Sequence, residues 1–421
     1  MKQLPEFIIT PAERMIKMAF DRDFKPVLRF LVVSDVHYRD EHSVERERME
    51  LALKTAYELC EKEEYSKLDA LYVVGDFATS GSRLQMLAFK ETLDTYLKEE
   101  TAVNLSMASH EFHGEGEAAA LEKFKEIYAQ EPDTHRVING YHFISVTCTN
   151  GCHFDDAKRE WVAAELKKAA ADDQRKPIFF FQHPHIMGTV YGSANWGEDE
   201  LTDILMNYPQ IIDFSGHSHA PINDPRSIHQ RHFTCLGTGT LSYFELDEFD
   251  KFCSTIPPKK EKAAQMLIVE ADADMRVRVY PYDLISGNFF PMTWKIDSAW
   301  DPKSYLYTDA RYKTTDAPYF DENAKAVISD VTSNGFKVTF DQAKTNDVYV
   351  DDYNVIVKNS DGIIVRNTTI WSEYYFYDMP ETLSVSFDDL YENETYQVEI
   401  YAGSFWKTVS EKPLLSEKIK L

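Results

Sequence analysis

The sequence predicts a sheet-centred α/β layer structure followed by an all-β sandwich, and three observations carry that reading. Short β-branched apolar runs alternate with amphipathic helical stretches over the first two-thirds of the chain. Histidines and aspartates stand just beyond several of those runs. From about Ala324 the helical pattern stops, while short strand-like runs recur between turn residues.

Taken in order, Val27 to Val33 reads as a strand and Ser43 to Lys62 as a helix with a charged face. Ala70 to Val74 is a strand before a helix from Gln85 to Lys98, and Ala102 to Met107 precedes a helix from Glu117 to Ala129. Tyr141 to Thr147, Pro177 to Phe181 and Gln210 to Phe214 continue the strands, with helices near 155–171 and 198–206. Phe233 to Leu236, Gln265 to Glu270 and Arg276 to Tyr282 follow, the last two joined by the polar turn Ala271-Asp272-Ala273-Asp274. This predicts a first domain over 1–284 and a connector over 285–320, rich in Pro, Gly, Asp, Trp and Tyr without clear periodicity. A second domain covers 321–421. Its strands are expected at Ala326–Val331, Phe336–Phe340, Tyr353–Val357, Ile363–Asn367, Leu383–Phe387, Thr395–Ala402 and Leu415–Lys420. Asn359-Ser360-Asp361-Gly362 signals a hairpin. The stretch from Leu390 to Ile400 resembles the segment entering the sixth strand of fibronectin type III domains, with Tyr396 as the corner tyrosine.

A length of 421 residues suffices for two domains, and 43% apolar with 13% aromatic content indicates globular structure. The net charge of −25 works against a polyanionic partner, so no long nucleic acid and no anionic membrane surface is expected. A small phosphate ligand held by metal ions is compatible, because metals reverse the local sign. The longest apolar runs, such as Ile178-Phe179-Phe180-Phe181, are too short for membrane insertion. The opening Met1-Lys2-Gln3-Leu4-Pro5 lacks the apolar region of a signal peptide. Five cysteines, Cys60, Cys148, Cys152, Cys235 and Cys253, are odd in number, without metal-ligand spacing, and describe no disulfide framework.

The chemistry lies at the ends of the strands. Asp35 and His37 close the first, and on extended backbone a carboxylate and an imidazole two residues apart can serve one metal. Asp76 ends the second in Val73-Val74-Gly75-Asp76, where two carboxylate oxygens can bridge two cations. The third ends in Ala108-Ser109-His110-Glu111, the fifth in Gln182-His183-Pro184-His185, and the sixth in Gly216-His217-Ser218-His219. Gly216 is expected to let the backbone turn sharply before the two histidines. Ligands at strand carboxyl ends are where open α/β sheets place their sites.

Together these blocks resemble the calcineurin-like metallophosphoesterase superfamily, whose pattern is D-x-H, G-D, G-N-H-[DE], an isolated His and G-H-x-H, over roughly residues 27–285. The resemblance implies a layered α/β/β/α sandwich and two divalent or trivalent ions of Mn, Fe or Zn. Asp35, His37 and His219 would hold the first metal, Asp76 would bridge, and His183 and His217 would hold the second. His110 would face the phosphate without binding metal, as a catalytic residue that stabilises charge or protonates the leaving oxygen. The chain departs from the pattern at Ala108-Ser109, where the family has Gly-Asn. Ser109 is then a shorter, poorer ligand to the second metal, and weaker occupancy of that position is expected. The implied reaction is in-line attack on phosphorus by a hydroxide held between two metals about 3.5–4 Å apart.

His185 and His113 read as supporting or loop histidines. Arg226 either pairs with Asp224 in a turn or reaches a substrate phosphate. Tyr191-Gly192-Ser193-Ala194-Asn195-Trp196 is either a lid or a surface loop, and Phe244 to Asp250 is a solvated acidic face. The expected function is metal-dependent phosphoester hydrolysis of a small substrate. A phosphodiesterase is favoured over a phosphomonoesterase, by resemblance to bacterial extracytoplasmic members. A catalytically weakened binding protein is the rival, its second domain contacting cell wall, glycan or protein. The accessory domain favours a secreted or cell-surface protein, with a cytoplasmic one still open.

Overall fold

The structure, a computed structural model, describes residues 20–39, 42–246 and 256–421. Cys253 and the 247–250 part of the acidic run lie outside the described residues. Two compact units divide the chain, one ending at Thr308 and the other running from Asp309 to Leu421.

The first unit contains strands β1 (Pro26–Val33), β2 (Ala70–Val74), β3 (Ala102–Ser106), β4 (Thr134–Ile138), β5 (Tyr141–Ser145) and β6 (Ile178–Phe181). It continues with β7 (His185–Ile186), β8 (Gly197–Glu198), β9 (Ile211–Ser215), β10 (Ile228–Gln230) and β11 (Thr234–Gly237). The last strands are β12 (Gln265–Asp272), β13 (Val277–Asp283), β14 (Asn288–Phe289) and β15 (Trp294–Ile296). Interleaved are helices α1 (Val44–Glu61), α2 (Arg83–Tyr96), α3 (Glu117–Tyr128), α4 (Asp156–Asp172), α5 (Ser193–Trp196) and α6 (Thr202–Leu205). Side-chain caps start three of the long helices: Ser43 accepts from the Arg46 N–H, Ser82 from Gln85 and Asp155 from Lys158.

Two sheets result. One runs β14-β13-β12-β1-β2-β3, with β15 against β13, and β1, β2 and β3 are mutually parallel. The other runs β10-β11-β9-β6-β5-β4, with a parallel core of β11, β9, β6 and β5. The period-2 alternation of strands assigns each side chain to a layer. Phe30 and Tyr72 of the first sheet stack against Phe143, Phe179, Phe181 and Phe214 of the second, closing a mostly aromatic seam. On the outer face of the first sheet, Leu31 and Val33 pack with Met49, Leu53, Phe89 and Phe124 of α1, α2 and α3. On the outer face of the second, Ile178 and Phe180 pack with Val162 and Leu166 of α4. Each fully buried side chain of this size contributes about 1.5–3 kcal/mol. The layers are therefore helix, sheet, sheet, helix, as the resemblance implied.

Some expected elements differ. The helix near 198–206 shrinks to the single turn of α6, because Gly197 and Glu198 pair in parallel with His185 and Ile186. Residues 285–320, read as irregular, contain β14 and β15, which extend the first sheet from its β13 edge. Strands of two or three residues are too short to show a period. The edge strand β4 escaped the reading because Thr134-His135-Arg136-Val137-Ile138 is half-exposed and polar.

In the second unit, β16 (Ala326–Ser329), β17 (Phe336–Asp341) and β20 (Thr382–Phe387) form one antiparallel sheet. The other holds β18 (Asp352–Asn359), β19 (Ile364–Trp371), β21 (Thr395–Gly403), β22 (Leu414–Leu415) and β23 (Ile419–Lys420). The single strand expected over Leu415–Lys420 is thus two short ones, parted where Ser416 turns its hydroxyl onto the Val398 N–H. Gly362 at φ +77° closes the β18–β19 hairpin through its N–H to the Asn359 carbonyl. Tyr396 is a true corner: its hydroxyl donates to the Tyr391 carbonyl at 3.1 Å and accepts the Tyr391 N–H at 3.0 Å. Tyr396→Phe leaves both Tyr391 groups without this partner, so calorimetry should show the unit destabilised by about 1–2 kcal/mol. No helix among the described residues is long and apolar enough to cross a membrane.

Candidate metal centre

The parallel strands of both sheets deliver the candidate ligands at their carboxyl ends. Asp35 and His37 follow β1, Asp76 follows β2, His183 follows β6, and His217 and His219 follow β9. Ser109 and His110 follow β3 after Met107 and Ala108. The loops are laced together by backbone bonds from Asp35 N–H to Gly75 C=O, His37 N–H to Asp76 C=O and Gly216 N–H to His183 C=O.

The backbone at this site is not extended, as was expected from the D-x-H spacing. Asp35, His37, Asp76, His217 and His219 all lie in the left-handed region, with φ of 50°, 54°, 49°, 73° and 53°. Each such residue costs about 1–3 kcal/mol, and such strain persists where surrounding structure imposes it. Two left-handed residues separated by one ordinary residue turn both side chains inward over a short arc. Gly216 also plays a different part from the turn expected of it. Its φ is ordinary, but a Cβ there would lie 2.5 Å from Asp35 Oδ2 and 2.8 Å from Ser34 Oγ. The glycine makes room for the Asp35 carboxylate.

Three overlapping groups of potential ligand atoms result: Asp35, His37 and His219; His37, Asp76 and His110; Asp76, His183 and His217. All but His110 and His217 are buried. His183 Nε2 lies 3.2 Å from Asp76 Oδ2, His219 Nε2 3.4 Å from Asp35 Oδ1, and His37 Nε2 3.0 Å from His219 Nε2. Ring orientation is set from behind. Nδ1 of His183 bonds the Val74 carbonyl at 2.7 Å, and Nδ1 of His219 bonds the Tyr243 carbonyl at 2.9 Å, so each Nδ1 carries a proton and Nε2 faces inward. Ser34 Oγ–H and the His217 N–H hold Asp35 Oδ2.

These residues fit a bound cation. Asp35 Oδ1 and His183 Nε2 are buried without a hydrogen-bond partner, a state that costs about 1–3 kcal/mol per group unless something else satisfies them. The electrostatics agree. Burial opposes ionisation of Asp76, yet His183 and the other surrounding imidazoles hold its carboxyl well below the usual range. Burial likewise opposes charge on His183, but Asp76 and Asp35 raise it to about 10. Burial first, then the neighbouring histidines, push His37 and His217 well below the usual imidazole range. A cation entering the second position must therefore displace the proton of His183. Its apparent affinity should rise about tenfold per pH unit between pH 6 and 8 for that one proton. Chelator competition at pH 6, 7 and 8 measures the slope, and a flat profile would contradict it.

The remaining histidines and loops fall into place around this cluster. His110 is partly exposed; its Nδ1 bonds the Thr79 carbonyl at 2.6 Å, its Nε2 lies 3.9 Å from Asp76 Oδ2, and its ring meets His37 edge-on at 4.5 Å. Ser109 Oγ stands 3.4 Å from both Asp76 oxygens. His185 is fully engaged, Nδ1 with Ser215 Oγ and Nε2 with Ser218 Oγ, and burial and His183 lower it to about 3. His113 is exposed and touches only the His110 ring among these residues. Arg226 bonds Asp224 with Nε and Nη2 and stacks over Tyr191 at 3.8 Å, so the turn reading holds. From the 191–196 segment, the Trp196 ring meets His217 edge-on at 4.7 Å.

Two contributors were not singled out from sequence. Glu111 is fully buried and accepts the N–H groups of Asp76, Ala78 and Ala108 at 2.9–3.0 Å, tying the β2 and β3 ends together; burial and then Asp76 push its carboxyl up to about 8. Its signal was the acidic residue next to His110 in the third block. Cys152 Sγ lies 3.4 Å from His217 Nε2, and nothing in the cysteine spacing announced it. A further group, His153, Glu198 and Glu200, gathers at an exposed rim.

Aspartates and histidines thus converge from both sheets of the sandwich on one candidate metal centre. Residues 28–221 match the family model of calcineurin-like phosphoesterases. That match and the ligand groups support a metal-dependent phosphoesterase. Among solved structures, purple acid phosphatase PPD1 from yellow lupin seeds is similar at 11% identity and TM-score 0.46, over 64% of this chain and 53% of its own. The second region is similar to a fibronectin type III domain of human collagen XX, at 18% identity and TM-score 0.19, over 26% of this chain and 93% of that one. It is also similar to domains d3-d4 of the rat CD45 extracellular region, at 16% identity and TM-score 0.20, over 25% and 51%. No curated protein sequence matches the chain.

Proposed function

We propose that the domain binds two metal ions and hydrolyses a small phosphodiester. The observation that carries this is the position of Asp76: its carboxylate belongs both to the group with His37 and to the group with His183 and His217. One carboxylate shared by two sets of imidazoles is the arrangement a pair of cations needs. Asp35, His37 and His219 would hold the first ion and His183 and His217 the second, with Ser109 Oγ 3.4 Å from both oxygens of Asp76. When bound, the ions supply Lewis-acid charge neutralisation and a water of lowered pKa.

His110 acts on the substrate. Its Nδ1–H stays on the Thr79 carbonyl, which leaves Nε2 3.9 Å from Asp76 Oδ2. Nε2 is the nitrogen left to deliver a proton to the leaving oxygen. Two aromatic rings favour a diester over a monoester: Trp196 stands against His217 and Tyr243 against His219, at 4.3 Å between ring centres. Each suits one organic substituent of the phosphate. The accessory sandwich supports a secreted or surface location, with the second unit as the contact to cell wall, glycan or protein.

The test strips the protein of metal, then titrates in Mn²⁺ or Zn²⁺ while following aryl phosphodiester and aryl phosphomonoester hydrolysis. Diester turnover should require two equivalents of metal and exceed monoester turnover. His110→Ala should lower kcat by about a hundredfold or more while metal stoichiometry stays at two. Preference for the monoester would overturn the diester reading, and turnover with one equivalent would overturn the dinuclear one.

A further inference from the structure

We propose that Cys152 is a positioning residue for the second metal position: its sulfur accepts the Nε2–H of His217 and so commits Nδ1 of that ring to the cation. This rests on reading Asp76, His183 and His217 as a metal centre. His183 and His219 each anchor one ring nitrogen on a backbone carbonyl and turn the other inward. Among the described residues no backbone carbonyl meets the ring nitrogens of His217. Its Nε2 instead faces Cys152 Sγ at 3.4 Å, a normal distance for a hydrogen bond to sulfur. No hydrogen bond engages its Nδ1 among the described residues. The partner of a metal-binding imidazole fixes its tautomer and orientation, and losing such a partner typically costs about 10–100-fold in metal affinity.

Several facts place Cys152 for this task rather than for direct ligation. It belongs to a tight turn closed by the Thr149 N–H on the His153 carbonyl at 2.7 Å. It forms no three-residue ligand group with Asp76 or His183, whereas His217 does. The hydroxyl and backbone N–H of Ser109 also face the thiol. His183 Nε2, buried without a hydrogen bond and 3.2 Å from Asp76 Oδ2, independently marks the cation position that His217 completes. The turn thus couples the altered third block to the last histidine pair. With Ser109 a poor ligand, a correctly held His217 matters more here than it would beside an asparagine. No bond is made or broken in the proposed role, and the proton stays on Nε2.

The test uses Co²⁺ binding to the full chain, read by its visible spectrum and by chelator competition, with no substrate present. Wild type should take up two ions. Cys152→Ala should weaken the second about 10–100-fold and leave the first unchanged, with an unaltered melting temperature. Cys152→Ser, whose hydroxyl also accepts a hydrogen bond, should recover most of that loss. Cys152→Ala binding both ions like wild type would overturn the proposal. So would a sulfur-to-cobalt charge-transfer band in wild type that disappears in both variants, because Cys152 would then be a ligand. Failure of the wild type to bind any Co²⁺ would overturn the metal-centre reading itself, and the proposal with it.

Discussion

Asp76→Asn should abolish metal-dependent turnover, lowering it by at least about 10³-fold, the scale of losing a preorganised electrostatic contact at the reacting atoms. The substitution keeps the shape of the side chain and removes its charge. Asparagine offers one oxygen and one N–H₂, so it can face one cation but turns a donor toward the other. It also removes the field that sustains the proton on His183, whose position at about 10 depends on Asp76 and Asp35 against the opposing effect of burial. The His110 N–H, which donates to Asp76 Oδ1 at 3.0 Å, keeps an acceptor only if the amide oxygen takes that side. Metal analysis should show loss of the second ion before the first, since Asp76 is the one carboxylate grouped with His183 and His217, whereas the first group keeps Asp35. Breaking a buried ion pair costs about 3–5 kcal/mol when a charge is left behind. Here His183 can shed its proton instead, so the melting temperature of the metal-free variant should fall by less than that figure implies. Turnover within tenfold of wild type at equal metal content would remove Asp76 from the reaction.

Much of this site was legible because strand ends are legible. Apolar runs such as Leu28–Val33 and Ile211–Phe214 mark strands buried on both faces, and the polar residues that end them must lie at an edge. What sequence could not supply was the backbone between ligands. D-x-H and G-H-x-H say that two side chains are two residues apart. They do not say that Asp35, His37, His217 and His219 adopt left-handed φ, since that conformation is imposed by the lacing of neighbouring loops. Gly216 was read as a hinge because glycine permits turns. The structure uses its missing Cβ instead, a three-dimensional fact about Asp35 and Ser34. Cys152 was invisible for the same reason: it lies 65 residues from His217 in sequence, on a turn with no motif of its own. The loss of the helix near 198–206 to a two-residue parallel bridge is a tertiary override of local pattern.

Gly75 separates the two ways a glycine can be required, because the chain contains a matched control. Gly75 and Gly114 have nearly the same φ, +77° and +78°. An alanine at either position pays the left-handed penalty of about 1–2 kcal/mol. At Gly114 nothing lies within 4 Å of the added Cβ, so Gly114→Ala should cost no more than that. At Gly75 the new methyl would fall 2.7 Å from His183 Cγ and 2.8 Å from Ala108 Cβ, inside any real carbon contact. Gly75→Ala should therefore lose a further ~1–3 kcal/mol from overpacking, for a total of about 2–5 kcal/mol in denaturant unfolding. The clash has a direction as well as a size. It presses on the imidazole whose Nδ1 is bonded to Val74 and whose Nε2 faces Asp76, so the ring must tilt or the β2 end must move. Metal affinity at the second position should fall with stability in Gly75→Ala and stay at the wild-type value in Gly114→Ala. Equal unfolding midpoints for the two variants would mean that His183 and Ala108 yield without cost. The close approach of β2 to His183 would then play no part in holding the ligand in place.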